Sequence, residues 1–151
     1  MFHHKIKSAL SNLELYSGLM FIAQFWAPVT IDGRRLLSTS GQPFAVRYLS
    51  NKVAQYRLRS EKYKYNIDMS KLHIEPDHMI LSGGPATAFL NCRTSIDKAQ
   101  ELNNKLKSVM VPICFPFQSN CIGVLDFTFP LLANQLAYFL FYTVEAIKIR
   151  V

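Results

Sequence analysis

The chain reads as an α+β protein with an antiparallel sheet and its helices packed on one side, and three observations lead there. Two pairs of strand-like runs are each joined by a turn so short that only a hairpin fits. A run of helical periodicity stands near either end of the chain. The resulting order is helix, hairpin, irregular middle with helices, hairpin, helix, which excludes the strand–helix–strand crossovers of a doubly wound parallel sheet.

Taking the elements in order, Lys5 to Tyr16 places Ile6, Leu10, Leu13 and Tyr16 at three- and four-residue spacing, the pattern of an amphipathic helix, and Gly18 ends it. Leu19 to Val29 is an aromatic and aliphatic strand. Asp32-Gly33 is a tight-turn signal, and Arg35 to Ser40 is the returning strand. Asn51 to Arg59 is expected to be helical. Ile74 to Leu81 is extended but interrupted by Pro76, and Gly83-Gly84-Pro85 opens a short helix from Ala86 to Cys92. Pro85 suits the first helical position because its missing N–H would have no partner there anyway. Asp97 to Lys107 reads as a further helix with Asp97 near its start.

The second hairpin runs from Ser108 to Phe117 and from Cys121 to Phe129, across the polar Gln118-Ser119-Asn120. In its second arm Leu125, Phe127 and Phe129 share one face while Ile122 and Val124 make the other apolar, so this strand should be central. The last helix, Ala133 to Ile149, aligns Leu136, Leu140, Val144 and Ile147 on one stripe. It also carries Tyr138, Phe141 and Tyr142 on its remaining surface. A helix that is apolar all round needs a second partner, so these three aromatics are the candidate interface of a homodimer or heterodimer.

Composition limits the functional classes. The chain has 151 residues, is half hydrophobic and only 18% charged, which suits one domain with a real core and argues against disorder. Cys92, Cys114 and Cys121 are odd in number and form no Cys-x-x-Cys pair, so neither a disulfide framework nor a zinc knuckle is expected, and a reducing compartment fits. Cys114 and Cys121 are expected in the core of the second hairpin. Lys5 and Lys7 precede an apolar stretch, but Glu14 interrupts it and no small-x-small cleavage site follows, which argues against secretion. Phe127 to Val144 is uncharged and approaches the length of a membrane span, yet Pro130, Asn134 and Gln135 break it, and a strand followed by a helix is the better reading.

Other constellations offer residue types suited to chemistry. The net charge is +7, and Arg47, Lys52, Arg57, Arg59, Lys62, Lys64 and Lys71 interleave with Tyr48, Tyr56, Tyr63 and Tyr65, which is the footprint of nucleic-acid or anionic-surface binding. The plainer reading packs the tyrosines against the domain and leaves the charges in water. His73-Ile-Glu-Pro-Asp-His78 offers metal-ligand types, but Pro76 prevents a helix from gathering them, and a polar loop is expected. No cysteine has a recognisable base partner, Ser82-Gly83-Gly84 is no phosphate loop, and no cofactor is indicated. Trp26, in an apolar strand, is either core or one wall of a pocket.

Particular strings add a family. Ile6-Lys-Ser-Ala-Leu, Ile22-Ala-Gln-Phe-Trp-Ala-Pro-Val and Gly33-Arg-Arg-Leu-Leu-Ser-Thr-Ser-Gly-Gln-Pro-Phe resemble the start of the GAF-like N-terminal domain of the plant NIN-like (RWP-RK family) transcription regulators. Val53-Ala-Gln-Tyr-Arg, Ser60-Glu-Lys-Tyr, the Gly84 to Phe89 turn and helix, Val111-Pro-Ile and Cys121-Ile-Gly-Val-Leu-Asp resemble the rest of it in order. The resemblance implies a non-enzymatic sensing or regulatory domain in nitrate-responsive transcription, acting in the nucleus or cytoplasm. The chain carries no RWP-RK segment and no PB1 domain, so sequence-specific DNA binding is not expected of it.

The family's nitrate-contacting region has a Trp-Thr-Pro-Asp stretch, a His-Ala-Gln helix and an Arg-Gly. Here the first is missing or shortened from Asn91 to Ser95, Lys98-Ala-Gln replaces the second and Leu106-Lys107 the third. An anion pocket needs convergent donors and a cation. Arg93, Lys98 and Lys107 are therefore the candidate ligand-binding residues for nitrate or another small anion, against the plainer reading of three solvated charges. The alternative for the whole domain is a degenerate module that binds only protein partners, such as a second copy or a longer NIN-like protein.

Overall fold

The central strand is long because its residues demand it. Phe21–Ile31, β1, joins β-branched and aromatic side chains in an eleven-residue run, and Asp32-Gly33, both at positive φ, turn it back into β2, Arg34–Ser38. This computed structural model describes residues 2–13, 21–47, 51–68, 70, 79–98, 106–114 and 121–130. The return arm breaks at Thr39 to Pro43, where Gly41 has φ +71°, and resumes as β3, Phe44–Arg47. Both pieces lie along β1: Ala27 to Ile31 pair with β2, and Phe21 to Gln24 pair with β3.

The remaining elements are α1 (Phe2–Leu13), α2 (Asn51–Lys62), β4 (Lys64–Asn66), β5 (Ile80–Leu81), α3 (Pro85–Asn91), β6 (Ser95–Lys98), β7 (Leu106–Cys114) and β8 (Cys121–Pro130). Among the described residues the strands form one eight-stranded sheet in the order β5-β4-β2-β1-β8-β7-β6, with β3 also on β1. Both expected hairpins are in it, β8 is central between β1 and β7, and the α+β class stands. Every pairing is antiparallel except the short β4–β5 contact, which makes the sheet mixed.

Helices cover both faces rather than one. Ile6 and Leu10 of α1 pack with Ala23, Phe25, Val109, Val111, Leu125 and Phe127. Ala86, Ala88 and Phe89 of α3 pack with Trp26, Met110 and Val124. Neighbouring residues of one strand point to opposite faces, so Phe25 and Trp26 report two layers. The physical reason is the one that makes β8 central: a strand apolar on both faces must be covered on both.

The helix expected over Asp97 to Lys107 is overturned at each end, since Ser95 to Lys98 and Leu106 onward are paired strands. An N-cap-like aspartate and helix-forming residues are outweighed by ladder hydrogen bonds to a sheet edge that would otherwise stay open. Pro85 does sit at the start of α3, after Gly84 at φ 50°, and α3 closes on Cys92 in the left-handed region. The last helix, with Tyr138, Phe141 and Tyr142, lies outside the described residues, as do His73 and His78. The uncharged stretch beginning at Phe127 starts as strand β8, and among the described residues no helix is long and apolar enough to cross a membrane.

Candidate functional site

Two polar residues interrupt otherwise apolar strands: Gln24 between Ala23 and Phe25, and Asp126 between Leu125 and Phe127. They are register partners across β1 and β8, and both are 0% exposed. A buried carboxylate is tolerated only if donors replace its water. Four do. Gln24 Nε2 donates to Asp126 Oδ2 at 2.9 Å, Trp26 Nε1 at 3.3 Å and the Tyr56 hydroxyl at 2.5 Å, while the Thr128 hydroxyl donates to Oδ1 at 2.7 Å. Ser108 extends the network through Thr128 at 2.5 Å and Tyr56 at 3.3 Å.

Above this polar patch of the sheet lies α2, whose inward stripe is Val53, Tyr56, Arg57 and Ser60. The spacing is that of an ordinary amphipathic helix, but three of the four positions are polar to match the strands beneath. Ser60 accepts the second N–H of Gln24 Nε2 at 2.9 Å. Arg57 uses all five of its N–H donors. Nε goes to Glu61 at 3.0 Å, Nη1 to Gln24 Oε1 at 3.1 Å and Thr39 Oγ1 at 2.7 Å, and Nη2 to the carbonyls of Thr39 and Gln42 at 3.1 and 3.3 Å. Its guanidinium also lies 4.2 Å from the centre of the Phe44 ring. The break in the β1–β2 arm is therefore a cradle: Thr39 to Pro43 turns its carbonyls onto one arginine.

Electrostatics follow from burial. Desolvation pushes the Asp126 carboxyl above its ordinary range, partly offset by its hydrogen-bond donors, Tyr56 foremost. Desolvation, and then Asp126, push the Tyr56 phenol well up. Arg57 is pulled down by desolvation, against Glu61 and Asp126. Chemically the network is closed. Its donors and acceptors are spent on one another, and it fixes α2, the 39–43 break and the two central strands as one body.

The residues named from sequence fare unequally. Arg93 is exposed and follows α3, its backbone N–H 3.4 Å from the Ala88 carbonyl. Lys98 and Lys107 are register partners across β6 and β7, at the β6 edge of the sheet. The ladder brings those two positions together, while Arg93 lies before β6 begins and is no part of that pairing. Trp26 is 2% exposed and T-shaped against Tyr65, which makes it core. Tyr56, Tyr65 and Arg57 are used inside the domain, and Arg59 and Lys62 lie over the Tyr63 ring at 4.5 and 5.9 Å. Tyr56 and Tyr65 pack within the domain as the plainer reading has it, but Arg57 is buried at 7% exposure rather than left in water.

Cysteine usage needs correction. Cys92 and Cys114 form a disulfide with Cα atoms 7.1 Å apart, and Cys121 is a half-buried free thiol whose Sγ donates to the Gly123 carbonyl at 3.1 Å. No spacing rule signals a pair 22 residues apart that only the docking of α3 on the sheet brings together. The Asp126 network was also missed. Its signal was present in the two polar residues at inward positions of apolar strands.

No family model matches the chain. It is similar to three curated proteins of Arabidopsis thaliana. Protein NLP7 is 31% identical over 114 residues, 70% of this chain and 12% of the relative. Protein NLP6 is 49% identical over 65 residues, 42% of this chain and 8% of the relative. Protein NLP9 is 24% identical over 129 residues, 81% of this chain and 14% of the relative. The chain thus spans only a small fraction of the proteins it matches. Among solved structures, a C-terminal domain of a Vibrio cholerae transcriptional regulator overlaps 96% of this chain and 93% of its own at TM-score 0.49 and 15% identity, too loose a fit to carry an argument.

Proposed function

We propose that this chain, a homologue of the plant NIN-like proteins over most of its length, is a non-enzymatic regulatory module of nitrate-responsive transcription that senses a small anion such as nitrate. It would work in the nucleus or cytoplasm. The observation that carries the anion reading is the pairing of Lys98 with Lys107 at the β6 edge. Like charges directly opposite one another weaken a sheet, and an anion bound there removes the repulsion while tightening the edge strand. Arg93 is left to steer the anion by long-range attraction rather than to hold it.

Calorimetric titration of the chain with nitrate, against chloride at equal ionic strength, tests this. Saturable heat with nitrate alone is expected. It should vanish in Lys98→Ala/Lys107→Ala and survive in Arg93→Ala. A flat nitrate titration, or an equal response to chloride, would overturn the anion reading. The module would then be a protein-binding one, which Leu58, 67% exposed on α2, favours.

A further inference from the structure

We propose that Cys92 and Cys114 are a reversible redox switch that staples the segment carrying β6 and β7 to the end of α3. The bond joins the residue that caps α3 to the last residue of β7. The loop it closes has a sequence separation of 22 and contains Arg93, Lys98 and Lys107, so oxidation constrains the stretch proposed above to meet an anion. The switch itself does not depend on that reading.

Three features place the switch at this pair. Cys92 has φ 53° and ψ 38°, a left-handed turn from which the chain leaves α3 for β6. The bond ties the end of α3 to the end of β7, with the two Cα atoms 7.1 Å apart. Cys121 is the register partner of Cys114 and could compete for it, but its thiol is engaged with the Gly123 carbonyl, and burial raises its pKa.

With glutathione disulfide as oxidant the balance is simple. The Cys92 thiolate attacks one glutathione sulfur, the glutathione S–S bond breaks, and one glutathione leaves and takes up a proton. The Cys114 thiolate then attacks Cys92 Sγ, the mixed disulfide breaks, and the second glutathione leaves. Two protein thiols are oxidised and one glutathione disulfide is reduced to two glutathiones.

The test equilibrates the full chain in glutathione buffers of graded redox ratio, traps thiols by alkylation and maps them by mass, with hydrogen exchange measured on both end states. Expected is reversible, coordinated loss of the Cys92 and Cys114 thiols, unchanged in Cys121→Ser and absent in Cys92→Ser. Amides of β6 and the start of β7 should exchange about tenfold more slowly in the oxidised wild-type chain. The comparison of oxidised and reduced wild-type protein decides even if a variant fails to fold. A Cys114–Cys121 bond, a bond between two chains, or identical exchange in both states would overturn the proposal.

Discussion

At Asp126 a carboxylate taken wholly out of water is held by Gln24, Trp26, Tyr56 and Thr128, and removing it would leave Trp26 Nε1 and one N–H of Gln24 without their acceptor and Tyr56 and Thr128 with Ser108 alone. Asp126→Ala should therefore cost about 3–5 kcal/mol in chemical denaturation, and Asp126→Asn clearly less. The folded-state pKa of Asp126 lies above its ordinary 3.8, so the native state binds more protons in the window between the two values. Stability then falls as pH rises through that window, and wild type should gain on Asp126→Asn as pH is lowered through it. Tyr56 acts in the same sense at the alkaline end, destabilising the fold as pH climbs past 10.0, which Tyr56→Phe would remove. Arg57→Lys keeps the charge but cannot supply five planar donors, and a loss of about 2–3 kcal/mol is expected.

Between elements, close approach matters as much as hydrogen bonding. A methyl at Gly123 of β8 would stand 2.2 Å from the Phe25 ring on β1, too close for either to remain in place. Gly123→Ala should cost about 1–3 kcal/mol by overpacking, read from the denaturation midpoint at unchanged slope. At the start of α3, Gly84 combines positive φ with a Cβ site 3.0 Å from the Tyr65 ring, which in turn braces Trp26. The β6 edge is the contrary case. Arg93 is exposed, so Arg93→Ala should move stability by under about half a kcal/mol, and the same small change is expected of Lys98→Ala and Lys107→Ala. A loss of several kcal/mol at any of them would mean that the charge is structural.

For the molecule as a whole, one polar network and two apolar layers hold eight strands and three helices together among the described residues. The two proposals meet at the β6 end of the sheet, where Lys98 pairs with Lys107 and the Cys92–Cys114 bond closes the segment that carries both. Self-association through the C-terminal stretch is proposed separately. Replacing Phe141 and Tyr142 by charged residues should convert a dimer to a monomer in sedimentation with the fold intact, and a wild-type chain already monomeric at high micromolar concentration would refute it.

Local patterning was enough for the hairpin turn at Asp32-Gly33, the α1 stripe of Ile6 and Leu10, the Pro85 helix start and the central place of β8, because each depends on neighbours within a few residues. The strings that carried the family resemblance also supplied the buried network, Gln24 and Trp26 from one, Thr39 and Gln42 from another, then Tyr56, Arg57, Ser60 and Asp126. That they meet was not legible, since hydrogen bonds such as Gln24 to Asp126 join residues 102 apart, and only the β1–β8 register sets them opposite one another. The same holds for β6, which takes a helix-like sequence as a strand because β7 offers it a ladder, and for Cys92 with Cys114. Periodicity and turn chemistry act over one or two turns of chain, whereas pairing energy and burial depend on partners that tertiary folding alone selects.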